Sequence, residues 1–105
     1  MLRIASIALG VSVSGAPSLA ASGEFCVTNE AESGFLFAVD VDQGRRELDT
    51  LATREMLCVG GAGMGTVSVF ENAHELEGCS VRVKAGEAIS LLSFPGVDLC
   101  SWSRD

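Results

Sequence analysis

A chain of 105 residues with 14 Asp and Glu against 7 Lys and Arg carries a formal net charge of −7. That length holds one small domain, and the acidity argues against nucleic acid and anionic lipid surfaces, which both need concentrated Lys and Arg. The composition also excludes collagen-like repeats, a coiled coil and a long disordered chain.

Residues 1–20 read as a removable secretory signal. Arg3 supplies a short positive start, residues 4–13 form an uncharged run, and Gly15 and Pro17 then break any helix. Ser18-Leu19-Ala20 places small residues at the two positions a signal peptidase reads, so cleavage is expected after Ala20. Ala16 and Ser22 offer alternative cuts. The apolar run is well short of the ~20 residues that span a bilayer, and no second such run follows. The expectation is therefore a single soluble domain over residues 21–105, exported to the periplasm or medium behind a bacterial-type signal. Without Arg3 it holds 6 cations against 14 acids, a net charge of −8.

The mature part reads as short strands separated by turns. Residues 25–28 form a first strand, closed by the polar run 29–34. Residues 35–42 give the clearest strand: Phe35, Phe37, Val39 and Val41 share one face at period two. Its other face becomes more polar along the strand. A hairpin-type turn at 42–45 leads to a returning strand over 46–51, preferred to a helix over 45–56 because no convincing N-cap stands near Gln43-Gly44. A strand at 56–59 enters the glycine-rich stretch 60–65, expected as a flexible loop. Val67 and Val69 mark the strand 66–71, and 72–78 is a polar loop. Cys79, Val81, Val83 and Ala85 face inward along 79–85. Strands at 88–94 and 97–102, with a Pro95-Gly96 turn between, complete the chain. Seven or eight short strands at near-even spacing predict an all-β, antiparallel, immunoglobulin-like sandwich or a small barrel.

Cys26, Cys58, Cys79 and Cys100 all fall in the mature part. An even number of cysteines in a small exported domain points to disulfides. No Cys-x-x-Cys occurs and His74 is the single histidine, which argues against structural zinc, thioredoxin-type redox chemistry and haem attachment. The sequential pairing Cys26–Cys58 with Cys79–Cys100 is favoured, since a meander sets neighbouring strands side by side. The nested pairing, Cys58–Cys79 with Cys26–Cys100, is the main rival.

Catalytic chemistry has little to build on. The glycines at 61, 63 and 65 miss the dinucleotide fingerprint, because Thr66 and Ser68 stand where its last glycine belongs, and no P-loop lysine follows. His74 with Ser68, Ser80 or Ser90 gives a hydrolytic triad on paper only, without a nucleophile elbow. Copper ligation by His74, Met64 and Met56 is the metal alternative. The pairs Asp40/Asp42 and Glu75/Glu77 fit no EF-hand pattern. Trp102 is either packed against a disulfide or an exposed anchor for a partner.

The sequence thus suggests a small exported, non-catalytic binding or accessory protein with no cofactor, whose partner is another protein. Trp102, His74 and Met64 are its candidate contacts. An acidic inhibitor of a basic secreted enzyme, of lysozyme or protease type, is one alternative. A periplasmic copper carrier is the other.

Overall fold

The computed structural model describes residues 22–104, so the expected signal segment, residues 1–20, and the cut expected after Ala20 lie outside the described residues. Eight strands alternate in direction along the chain: β1 (Ser22–Asn29), β2 (Phe35–Val41), β3 (Arg46–Leu51), β4 (Met56–Ala62), β5 (Met64–Phe70), β6 (Gly78–Lys84), β7 (Ala88–Ser93) and β8 (Ser101–Arg104). They build a sandwich of two four-stranded sheets, ordered β4-β1-β7-β8 and β3-β2-β5-β6.

Period-two patterning drives this assembly. Each sheet turns one set of alternate residues inward, and burying them stabilises the pair by roughly 25 cal/mol per Å² of apolar surface. Phe25, Val27, Val59, Ile89 and Leu91 of the first sheet meet Phe37, Val39, Val67, Val69 and Val83 of the second. The arrangement is immunoglobulin-like in its middle. That fold sets strand B beside E in one sheet and C′, C, F and G in the other; β1 beside β4, and β3-β2-β5-β6, reproduce both neighbourhoods. Here β7 and β8 fill the far flank of β1.

Several expectations need correction. The eight strands among the described residues agree with the expected sandwich of short strands, but β7 runs parallel to β1 in an otherwise antiparallel structure. The glycine-rich stretch is not a flexible loop. Gly60, Gly61 and Ala62 end β4, Met64 and Gly65 open β5, and only Gly63 lies between, at φ +76°. This turn carries the chain from one sheet to the other, and its glycines make room for the core. A Cβ at Gly61 would lie 2.7 Å from Val41 Cγ1, and one at Gly65 would lie 2.8 Å from the Asp40 carbonyl oxygen. The last strand starts at Ser101 rather than 97, because Asp98 adopts a left-handed φ of +61° and Leu99 N–H donates back to the Gly96 carbonyl at 3.1 Å. Residues 97–100 therefore form a turn. Residues 46–51 form the expected strand and not a helix.

Cys26 is joined to Cys58 and Cys79 to Cys100. Cys26 and Cys58 stand directly opposite on β1 and β4, with Cα atoms 4.1 Å apart, so this bridge lies within one sheet. The strands it joins are not sequence neighbours, so the meander premise does not describe it. Cys79 belongs to β6 of one sheet and Cys100 immediately precedes β8 of the other, so the second bridge ties the two layers together.

Candidate functional site

Strict alternation of strand direction gathers every second connection at the same end. Residues 30–34, 52–55, 71–77 and 94–100 all lie at the end where β1 finishes, here called the upper end. These four segments hold Glu30, Glu32, Glu55, Glu71, Glu75, Glu77 and Asp98 against Arg54 alone, a net charge of −6. The rest of the described chain carries six carboxylates and five cations, a net charge of −1.

The ion pairs sharpen this division. Arg45–Glu47, Arg46–Asp40, Arg82–Asp42 and Arg104–Glu87 all belong to the strands, the lower turns and β8, and none uses an upper-end carboxylate. Arg82 holds Asp42 with two hydrogen bonds, at 3.0 and 2.6 Å. That contact keeps the Asp42 carboxyl below its usual range and the Arg82 guanidinium above its own. Glu87 is held low mainly by the Lys84 backbone N–H, then by Arg104. Arg104 also donates to the Arg82 carbonyl at 2.7 Å, closing the open side of the sandwich.

The upper end holds a cleft of about 130 Å³ between segments 71–77 and 94–100. Phe35 opens β2 and Phe94 follows β7, so rings from opposite sheets meet there, with centroids 5.1 Å apart and planes tilted by 53°. Glu71, Glu75 and Glu77 line the same cleft as this aromatic pair. Apolar side chains stand exposed around it. Leu76 is 91% exposed and Leu99 65%, with Leu92 and Val97 also open to solvent.

Both cleft walls are held by the fold. Asn72 Oδ1 accepts from the His74 N–H at 2.8 Å and the Asn72 carbonyl accepts from Glu75 N–H at 3.3 Å, which turns the acidic segment. The opposite wall is fastened to β6 by the Cys79–Cys100 bridge and by Asp98 N–H donating to the Gly78 carbonyl at 3.2 Å. A wall fixed in advance lowers the ordering cost of binding. An aromatic floor beneath carboxylates suits a cation carried on an aliphatic stem, because the rings accept the stem and attract the charge while the carboxylates pair with it.

The residues singled out in the sequence do not share one surface. Met64 opens β5 at the lower end and is 36% exposed, whereas His74 lies beyond the upper end of that strand. The length of β5 from Met64 to Phe70 separates them, roughly 20 Å at ~3.3 Å per residue, so they do not form a joint copper site. Trp102 is half-buried, stands opposite Leu91 on the inner face and packs on the core. It also lines a shallow cleft with Cys79, Ser80, Asp98 and Cys100. Of the three candidate contacts, only His74 belongs to the acidic end.

The proposed chemistry of other residues fares similarly. Ser68 Oγ pairs with Ser80 Oγ at 2.9 Å on the outer face of β5 and β6, rather than with a histidine. Asp40 and Asp42 each face an arginine. Among the described residues, one compact group of metal-type side chains is found, Glu24, Cys26 and Cys58, and both sulfurs there are joined to each other.

Sequence reasoning missed the Phe35–Phe94 pair and the gathering of acids. A signal for the second was present: the acids of 30–32, 55, 71–77 and 98 fall in alternate connections, which alternating strands must bring together. No family model, curated protein or solved structure matches the chain.

Proposed function

We propose that this is a small exported, non-catalytic binding protein whose working surface is the acidic upper end, and that its partner is a protein presenting Lys or Arg. One observation carries the reading: a net charge of −6 sits at one end, where Glu71, Glu75 and Glu77 line a cleft with the Phe35–Phe94 pair, while the body is balanced by its own ion pairs. A cationic side chain would enter the cleft, with Leu76, Val97 and Leu99 making apolar contact around it. Clustered charge of one sign steers an oppositely charged partner and accelerates encounter.

Inhibition or sequestration of a basic exported enzyme is favoured over copper transport, since Met64 stands at the opposite end of β5 from His74. Immobilised oxidised protein, incubated with fluid from its native compartment, tests it. The captured protein should be basic and should be released by salt alone, as screening shortens to ~3 Å at 1 M. Capture that survives high salt, or of an acidic partner, would contradict the proposal.

A further inference from the structure

A sheet edge left unpaired invites another strand, and natural proteins blunt such edges with charge, proline, shortness or cover. Three of the four edges here are blunted. β3 carries Arg46, Glu47 and Asp49; β6 carries Arg82 and Lys84 and lies under the Arg104 side chain; β8 is only four residues long. β4 has none of these devices. Its sequence, Met-Leu-Cys-Val-Gly-Gly-Ala, contains no charge and no proline over seven residues.

The backbone directions on β4 follow from its neighbour. On β1, Cys26 N–H donates to the Glu87 carbonyl and Glu30 N–H to the Leu91 carbonyl, while Asn29 N–H donates to Glu55. Even-numbered β1 residues thus face β7 and odd-numbered ones face β4. With Val27 opposite Leu57 and Phe25 opposite Val59, alternation of an antiparallel ladder turns Leu57, Val59 and Gly61 towards β1. Met56, Cys58, Gly60 and Ala62 therefore present their N–H and C=O groups to the open edge. The space beside Gly60 is empty: a Cβ there meets no atom within 4 Å.

We infer that this edge pairs antiparallel with β4 of a second copy, joining two four-stranded sheets into one of eight. The register follows from the strand itself. Full overlap centres on Val59, which sets Cys58 against Gly60 and Met56 against Ala62 of the other copy, and these are the residues whose backbone groups point outward. Side chains then match in size, because Met56, Leu57 and Cys58 oppose Ala62, Gly61 and Gly60. Gly61 borders an open cleft beside the β2–β3 turn that receives Leu57. A two-fold axis perpendicular to the sheet reverses strand direction, so the two acidic ends point apart and their charges do not oppose assembly. This dimer leaves the proposed binding surface free and stands independently of it.

Sedimentation of the oxidised protein into the high-micromolar range tests the inference, with Gly60→Lys and Gly60→Pro as variants. Lysine sets a charge in open space at the middle of the edge, and proline removes an outward N–H that serves no bond among the described residues. The wild type should reach twice the chain mass, with Cys58 and Gly60 amides protected from exchange. Each variant should keep the strand circular dichroism, remain at the chain mass, and expose the Cys58 amide. A wild type that stays at the chain mass throughout, or a dimer that persists in both variants, would overturn it.

Discussion

Asn29 and Leu51 lie in opposite sheets, and the Asn29 side-chain amide donates across to the Leu51 carbonyl at 2.9 Å. The same fully buried side chain donates to the Ser33 carbonyl and accepts from Ala31 N–H, each at 2.9 Å. One residue therefore pins the upper ends of β1 and β3 together and shapes the connection between β1 and β2. Replacing Asn29 with alanine strands three backbone groups, at a cost of about 1–3 kcal/mol for each group left buried and unpaired. Urea unfolding of Asn29→Ala should show a midpoint lowered by a loss of at least ~2 kcal/mol with an unchanged slope.

The two disulfides have different structural consequences. Removing either should cost about 2–5 kcal/mol through the unfolded state. Cys26–Cys58 joins strands that remain paired without it, whereas Cys79–Cys100 anchors the turn 97–100 and the short strand β8. The double variant Cys79→Ser/Cys100→Ser should therefore shift Trp102 fluorescence and expose β8 amides to exchange. The double variant Cys26→Ser/Cys58→Ser should leave both signals near wild type.

Glycine tolerance should divide sharply by position. A Cβ at Gly78 would overlap the Val69 carbonyl oxygen, and one at Gly61 would press on Val41, but one at Gly60 meets open space. Gly78→Ala should be the most damaging, because backbone must shift to admit it; overpacking of this kind costs about 1–3 kcal/mol or more. Gly60→Ala should lie within about 0.5 kcal/mol of wild type. Thermal unfolding of Gly78→Ala, Gly61→Ala and Gly60→Ala checks the order, with Gly61→Ala between the other two.

Much of the strand pattern was legible because its driving force is local. Alternation of Phe35, Phe37, Val39 and Val41 marks β2, and Cys79, Val81 and Val83 mark β6, with no need of tertiary information. What escaped the sequence depends on partners distant along the chain. Gly61 and Gly65 look like a loop until Phe25 and Val41 are packed against them, and the parallel neighbour of β1 comes from beyond residue 87. The Phe35–Phe94 floor joins residues in different sheets, so no local period reveals it. The acidic end was readable in principle, because alternate connections of an up-and-down chain must share an end.

Acid should weaken the lower end of the sandwich. Asp42 and Glu87 are held below the usual carboxylate range by Arg82 and by Lys84 N–H with Arg104. Depressed folded values mean that their contribution is complete above the unfolded carboxylate range, near pH 4. It is lost as pH falls through the lowered folded values. Asp42→Asn and Glu87→Gln should each flatten the acid limb of a stability-against-pH curve, with no change in that curve's shape near neutrality.

The central claim, that location of charge rather than total charge makes the binding surface, is tested most directly by two triple variants of equal net charge. Glu71→Gln/Glu75→Gln/Glu77→Gln neutralises the cleft, and Glu24→Gln/Glu47→Gln/Asp49→Asn removes the same three charges from exposed positions on the strands. Affinity of each for the captured basic partner, measured by calorimetry at low ionic strength, gives the decision. The cleft variant should lose at least about tenfold, or ~1.4 kcal/mol, while the strand variant binds like wild type. Equal loss in both variants, or none in the cleft variant, would contradict the account.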